Sequence, residues 1–271
     1  MVSAIDACVI CEINEDKMIM KKNQPYNIKD NNNHSILKSI ILHLFPGLLV
    51  LISIIIITPL LEKYNLPLVL VLIFSFGFIL IPFELGYMLY QGKKRNGKFS
   101  LKGIILFKEA IPKWQYIIYT IPVIIWIFLV YGVLAPPIDN FIIEKLFSWI
   151  PEIYFLNMDF NLYSQSALFV MWIAYLGFNC ILAPLIEELY FRGYLLPKIS
   201  DIGKWAPILN IILFSLYHFF SPWQNPVRII ALFPMVYLVW WKKNVYLGII
   251  IHGIVNTLGA IAMLPTIFAS G

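Results

Sequence analysis

Long apolar stretches constrain this chain more than any other feature of its sequence. Because an unpaired peptide group finds no water to bond inside a bilayer, each stretch is expected to be helical. The lengths suit an all-α, polytopic transmembrane helical bundle of about seven spans. The stretches run over residues 39–61, 68–90, 115–135, 166–198 with interruptions, 205–221, 227–241 and 245–265.

The composition agrees with a membrane protein and excludes other classes. Of the 271 residues, 60% are hydrophobic and 13% charged, against roughly half and about a quarter in a soluble domain. A soluble enzyme is therefore excluded, and a net charge of +5 is too small and dispersed for nucleic-acid binding. The three cysteines, two of them in a lone Cys8-x-x-Cys11 pair, make neither a disulfide framework nor a complete zinc site.

Three segments are predicted along the chain. Residues 1–38 form a polar tail, expected to be flexible and cytoplasmic, with no visible cleaved signal peptide. Residues 39–162 hold the first three spans and a segment, 138–150, bracketed by prolines, whose apolar residues recur at helical spacing. We interpret that segment as one interfacial amphipathic helix. Residues 163–264 hold the remaining spans.

The distribution of basic residues predicts the orientation. With the N-terminus inside, the inner segments carry seventeen of the twenty Lys and Arg residues, and the outer ones hold Lys63, Lys145 and Arg228. Positive charge concentrates on the cytoplasmic side of membrane proteins. The N-terminus is therefore expected in the cytoplasm and the C-terminus outside.

Two adjacent glutamates in the fourth span are the first candidates for chemistry, since ionisable groups inside spans are costly. Glu188 and Arg192 are four residues apart with the acid first, the favoured order for a facing pair on a helix. Glu187 has no basic residue four positions away. A desolvated glutamate is suited to act as a general base near neutral pH.

A second set of polar residues lies in the later spans. His252 and Asn256 share one helix face and could offer two donors to a common oxyanion, and His218 lies in the fifth span. The short fifth and sixth spans are joined by residues 222–226, which are expected to sink below the outer surface beside a water-filled cavity.

These residues fall into three motifs that resemble the CAAX protease and bacteriocin-processing (CPBP, Abi-like) family of intramembrane endopeptidases. Residues 187–193, EELYFRG, are similar to its EExxxR motif. Residues 214–218, FSLYH, are similar to FxxxH, and residues 252–256, HGIVN, to HxxxN. The three motifs occur in order on separate predicted spans, so residues 163–264 are interpreted as a CPBP-like catalytic helical core.

The resemblance implies a role for each motif residue. Glu187 and His218 would position and activate water, His252 and Asn256 would stabilise the oxyanion, and Glu188 with Arg192 would brace the site. No cofactor is expected. A zinc-dependent version remains an alternative, with Glu187, His218 and His252 as its ligands, because one carboxylate and two histidines match a catalytic zinc site.

The function predicted from these observations is endopeptidase activity on a peptide or protein at the membrane, lipidated or not, in a bacterial cell membrane. The alternative is a non-catalytic membrane immunity or binding protein that protects against a bacteriocin. A transporter is disfavoured because no internal repeat is visible. Glu84 in the second span is left outside the catalytic set, as a carboxylate bonded across the bundle or facing the cavity. His43 is assigned no role.

Overall fold

The computed structural model describes residues 33–155 and 160–265, and within these residues the chain is built from helices without a β-strand. Seven helices follow one another, here named α1 to α7 in chain order. Their bounds are Ile36–Lys63, Val69–Asn96, Lys113–Leu146, Gln165–Ile202, Trp205–Leu216, Asn225–Lys242 and Val245–Ala262. The predicted all-helical membrane bundle is confirmed.

Five of these helices are long and apolar enough to cross a membrane, namely α1 to α4 and α7. The helix α5, with 12 residues, extends about 18 Å at 1.5 Å per residue and is too short to cross a hydrocarbon layer of about 30 Å. The more polar α6 has 18 residues and carries Arg228 and Lys242. The structure thus has seven helices where the sequence predicts about seven spans, and five of the seven have the length and composition to cross a membrane.

The interfacial helix predicted at 138–150 is not a separate element. It is the last part of α3, which runs through Pro136 and Pro137 and ends at Leu146. Proline lacks a backbone donor, yet the residues that follow it can resume helical bonding, and membrane helices tolerate such positions. The two prolines are therefore inside a helix of 34 residues and do not mark its end.

The beginning of α1 also differs from the prediction. The helix starts at Ile36, and the side chain of Ser35 caps it by accepting a hydrogen bond from the Lys38 amide at 3.3 Å. His34 is buried and bonds through its backbone amide to the Lys198 carbonyl at 2.9 Å. Of the predicted polar tail 1–38, residues 1–32, with the Cys8 and Cys11 pair, lie outside the described part of the chain.

The second half of α4 forms the centre of the bundle. Residues from Ile186 to Ile199 are almost all buried, whereas the outer faces of α1 and α3 expose large apolar side chains suited to lipid. Helices α1, α2, α5, α6 and α7 all pack against this half of α4. Any polar group placed there is therefore shielded from the lipid by neighbouring helices.

Two π-helical segments interrupt α4, at Leu176–Leu182 and Glu188–Leu195, on either side of Glu187. A π turn contains an extra residue, so it rotates the following side chains and shifts carbonyl groups out of the α-helical register. Such segments are frequent at functional sites. Here they flank the acidic motif.

Candidate functional site

One cavity collects the four residues predicted to act in catalysis. It has a volume of about 380 Å³ and is lined by residues of α2 to α7 and of the loop that follows α5. Glu187, His218, His252 and Asn256 all line it. The remaining wall is formed mainly by apolar side chains, among them Leu72, Phe76, Ile127, Leu232 and Met235. Residues from three separate motifs thus line one cavity.

The predicted pair of Glu188 and Arg192 is present and fully buried. Nη1 of Arg192 lies 3.1 Å from Oε1 of Glu188, and neither side chain is exposed. The guanidinium also stacks over the ring of Phe214, with its Cζ 3.8 Å from the ring centroid. A desolvated cation is stabilised both by the carboxylate and by the face of an aromatic ring.

Glu188 has a second partner that the sequence did not predict. Nδ1 of His252, on α7, lies 3.1 Å from the same Oε1 atom. Because an ionised carboxylate only accepts hydrogen bonds, Nδ1 is the donor, and Nε2 is the nitrogen left for the cavity. Glu188 therefore links the α4 arginine to the histidine of α7.

The glycine at position 248 makes this link sterically feasible. A Cβ atom built at Gly248 would lie 2.5 Å from Oε2 of Glu188 and 3.2 Å from its Cδ. At such a distance the carboxylate or the helix would have to shift, so glycine lets Glu188 approach α7 as closely as it does. Gly248 precedes His252 by one helical turn and thus belongs to the same helix face.

His218 lies just beyond the end of α5, on the non-helical segment that begins at Tyr217. Its Nδ1 is 2.8 Å from the Phe214 carbonyl oxygen. A carbonyl only accepts, so Nδ1 carries the proton and Nε2 of the neutral ring is an acceptor. The ring centroid lies 4.1 Å from that of Tyr217 and 5.4 Å from that of Phe220. These contacts fix the ring plane.

Asn256 is oriented by one of the π-helical segments of α4. Its Nδ2 donates to the carbonyl oxygen of Asn179 at 2.8 Å, and Asn179 lies within Leu176–Leu182. A side-chain amide has two N–H donors, so one donor of Asn256 remains for a ligand in the cavity. The π segment thus helps to position a residue that is 77 positions away in the sequence.

Glu187 is buried, with 5% of its surface exposed, and lines the cavity beside the hydroxyl of Tyr217. In the described chain it makes no ion pair within 4 Å. This contrast with Glu188 follows the division inferred from the sequence, in which one glutamate pairs with Arg192 and its neighbour does not.

Glu84 is fully buried on α2, and neither carboxylate oxygen has a hydrogen-bond partner within the described chain. It lies within electrostatic range of Glu187, Glu188 and Arg192. The expectation that it bonds across the bundle is not met, and it is absent from the cavity lining.

His43 on α1 takes part in a buried network outside the cavity. Its Nδ1 is 2.7 Å from the Ser39 carbonyl oxygen, so this nitrogen donates, and Nε2 accepts from Nδ2 of Asn210 at 2.9 Å. Asn210 also donates to the carbonyl oxygen of Phe191 at 3.0 Å. His43 therefore ties α1 to α5 and to the second π segment of α4.

Sequence reasoning missed one charged residue of the cavity. Arg228 lines it, although the orientation argument counted this residue among the basic groups of the outer side. Its position in the first turn of α6, directly after the loop expected to border water, was the only signal for it in the sequence.

The described residues contain no group of three or more His, Cys, Asp or Glu side chains arranged to hold a metal ion. Glu187, His218 and His252 share a cavity wall but do not converge as ligands of one zinc ion. The zinc-dependent alternative gains no support from this arrangement.

Comparisons with known proteins agree with the motifs. Residues 167–258 match the family model described as "Type II CAAX prenyl endopeptidase Rce1-like". The chain is also 33% identical over 90 residues to the UPF0177 protein YxdF of Lactococcus lactis subsp. lactis (strain IL1403). That alignment covers 32% of this chain, and the chain spans 50% of the length of the relative. No solved structure gives a significant match.

The resemblance to the CAAX protease and bacteriocin-processing family is therefore confirmed over the segment that carries all three motifs. With five helices able to cross a membrane, the chain is an integral membrane protein.

Proposed function

We propose that this protein is an intramembrane endopeptidase that hydrolyses a peptide bond with water activated by Glu187. The observation that carries the proposal is the convergence of Glu187, His218, His252 and Asn256 on one cavity of about 380 Å³. A base, a second water ligand and two oxyanion donors are the groups that amide hydrolysis requires. The match to an endopeptidase family model over residues 167–258 agrees with it.

In the proposed reaction, the Glu187 carboxylate takes a proton from a water molecule while that water attacks the peptide carbonyl carbon. Nε2 of His218 accepts the second hydrogen of the water and orients it. The carbonyl π electrons move to oxygen and form a tetrahedral intermediate. When the C–N bond breaks, Glu187 returns its proton to the leaving amine, so the enzyme ends in its starting state.

The developing oxyanion would be stabilised by His252 and Asn256. Nδ1 of His252 already donates to Glu188, so Nε2 donates to the oxyanion when the ring carries both protons. The free N–H of Asn256 supplies the second hydrogen bond, and the bond to Asn179 keeps the amide in place. Preorganised donors of this type act most strongly where water is excluded.

Glu188 and Arg192 would act through other residues and not on the substrate. Glu188 orients His252, and Arg192 supplies the positive charge that lies 3.1 Å from Glu188 in this buried environment. The substrate is a membrane-associated or C-terminally processed peptide or protein, either lipidated or not, and the protein acts in a bacterial cell membrane with its N-terminus in the cytoplasm.

The test compares protein N- and C-termini by mass spectrometry in cells that express the wild-type chain or Glu187→Gln at equal membrane levels. Glu109→Gln is the matched control, because Glu109 is an exposed glutamate paired with Lys243. We expect new termini in wild-type and Glu109→Gln cells and none with Glu187→Gln. If wild-type and Glu187→Gln cells have the same set of protein termini, that result would contradict the proposal and favour the immunity or binding function.

A further inference from the structure

Arg228 is a buried cation in the wall of the same cavity, and the proposed hydrolysis gives it no role. Its residue surface is 5% exposed, and it lines the cavity together with Glu187 and His218. It is one of three arginines in the sequence. A charged side chain at such a site is costly unless a partner or a ligand compensates it.

The hydrogen-bond partners of Arg228 are all uncharged. Its Nη1 donates to Oδ1 of Asn225 at 2.8 Å and to the Ser215 carbonyl at 3.4 Å. Its Nη2 donates to Oγ of Ser221 at 2.8 Å and to Oε1 of Gln224 at 2.9 Å. These acceptors bond both Nη groups, and Tyr131 is a further uncharged hydrogen-bond partner, but none of them neutralises the positive charge.

No carboxylate of the described chain forms an ion pair with Arg228 within 4 Å. Asp139 on α3 is within electrostatic range, and its buried Oδ1 has no hydrogen-bond partner in the part of the chain described. The contrast with Arg192, which touches a carboxylate at 3.1 Å, is clear. Arg192 therefore has a carboxylate in direct contact, whereas Arg228, which lines the cavity, has only the more distant Asp139.

We infer that Arg228 is an anion subsite that binds a carboxylate of the substrate inside the cavity. Ser221 and Gln224 also line the cavity, so an entering carboxylate can replace these two neutral acceptors on Nη2. The exchange supplies the missing negative charge, and a carboxylate matches the planar guanidinium better than an amide or a hydroxyl does. The inference rests on the proposed function, since it assigns a substrate class to that site.

A carboxylate can reach the cavity from two sources, the C-terminus of a peptide or the side chain of Asp or Glu. The test uses the full-length protein in liposomes and peptide libraries made in matched pairs. One pair differs by a C-terminal acid or amide, and the other by Asp or Glu against Asn or Gln. We expect cleavage to favour one of the two acids by about tenfold or more, the effect of one charge-assisted hydrogen bond.

Variants then assign this preference to Arg228. Arg228→Gln should abolish the acid preference, whereas Arg228→Lys should keep part of it because the charge remains. Arg95→Gln is the matched control, since Arg95 is exposed and bonds to the Gly103 carbonyl at 2.9 Å. Asp139→Asn should increase the acid preference, because it removes the anion that competes with the substrate.

A binding measurement separates this inference from the proposed hydrolysis. In the Glu187→Gln background, acidic peptides should raise the midpoint of thermal unfolding more than their amides do, even without cleavage. Acid-selective binding by a wild-type protein that cleaves none of the peptides would support the subsite and contradict the endopeptidase proposal.

Equal cleavage of the acid and amide peptides by the wild-type protein would contradict the assignment of the subsite. An acid preference that survives in Arg228→Gln would also contradict it. If Arg228→Gln does not fold, Asp139→Asn decides the matter. An unchanged acid preference in that variant contradicts the inference.

Discussion

Oε1 of Glu188 lies 3.1 Å from Nη1 of Arg192 and 3.1 Å from Nδ1 of His252. A single carboxylate oxygen therefore joins the cation of α4 to the histidine of α7. Because the two contacts share one acceptor, any change at Glu188 alters both the charge balance of α4 and the orientation of His252.

Replacing Glu188 with Gln should inactivate the protein even though Glu187 is retained. An amide presents either its oxygen or its NH₂ group to His252, and it leaves Arg192 without a counter-ion. We expect the rate of cleavage to fall by about 100-fold or more, as for the loss of an oxyanion donor. The measurement is the rate of terminus formation at equal folded protein, and activity close to the wild-type value would exclude this role.

Arg192→Ala should reduce stability far more than Glu187→Gln does. Removing a partner from a buried ion pair leaves an uncompensated charge and costs about 3–5 kcal/mol, and Arg192 also loses its contact with Phe214. Glu187→Gln keeps the volume and breaks no ion pair. Folded yield and thermal unfolding in detergent are the measurements. Equal loss of folded protein in the two variants would contradict the different roles given to these residues.

Gly248→Ala should impair the site although it removes no charged group. The added Cβ would meet Oε2 of Glu188 at 2.5 Å, so the carboxylate or the whole of α7 must move. Displacements of this size at a catalytic centre reduce rates by about 10- to 100-fold. Gly86→Ala is the control, because nothing lies within 4 Å of a Cβ at that position of α2. Equal activity of both variants would show that Glu188 does not depend on this close approach.

The stability of the bundle should decrease as the pH falls from 6.5 towards 4. His34 lies before the first membrane helix, and its burial, with the nearby Lys38 and Lys198 charges, lowers its pKa from 6.5 to about 4. In this range the unfolded chain binds more protons at His34 than the folded chain does, so stability rises with pH. The contribution of neutral His34 is complete above pH 6.5 and is lost as the pH falls towards 4.

The corresponding measurement is thermal unfolding of the wild-type protein and of His34→Gln at a series of pH values from 7.5 to 4, a window set by the pKa shift of His34. The pH dependence should be weaker in the variant, which does not titrate. The backbone bond of residue 34 to Lys198 is retained in the variant, which limits other effects. Identical slopes for the two proteins would contradict the assignment.

The sequence was sufficient for those features that depend on spacing along one helix. The pairing of Glu188 with Arg192 and the shared face of His252 and Asn256 follow from helical geometry alone. The apolar stretches likewise predict an all-helical membrane protein, because a bilayer leaves few alternatives to helices.

Features that depend on tertiary contacts were not predictable in this way. The bond between Glu188 and His252 joins residues 64 positions apart, and nothing in either motif indicates it. The burial of Arg228 depends on the loop between α5 and α6 turning back on α6. The apolar run that begins at Trp205 extends beyond the end of the helix at Leu216. Hydropathy alone therefore overestimated the length of α5.

The prolines of α3 led to a wrong prediction of a helix boundary, because the sequence does not show the contacts that keep α3 continuous. Pro136 and Pro137 are typical signals for a helix boundary in soluble proteins, and the charges that follow them suggested an interfacial segment. Helical hydrogen bonding beyond the two prolines outweighs the bonds that they remove. Only the full set of contacts around α3 distinguishes a continuous helix from two short ones.

The buried network around His43 connects the segment that matches the family model to α1, which lies outside that segment. Nδ2 of Asn210 bonds to Nε2 of His43, and the Tyr190 hydroxyl donates to the Leu42 carbonyl at 2.8 Å. The backbone at Gly47 lies so close to Tyr217 that an added Cβ would overlap the Tyr217 carbonyl oxygen. All three partners belong to α1, outside the segment 167–258 that carries the motifs. The segment that carries the three motifs is therefore not structurally independent of α1. A chimaera that exchanges α1 must also carry the residues that fit the new helix.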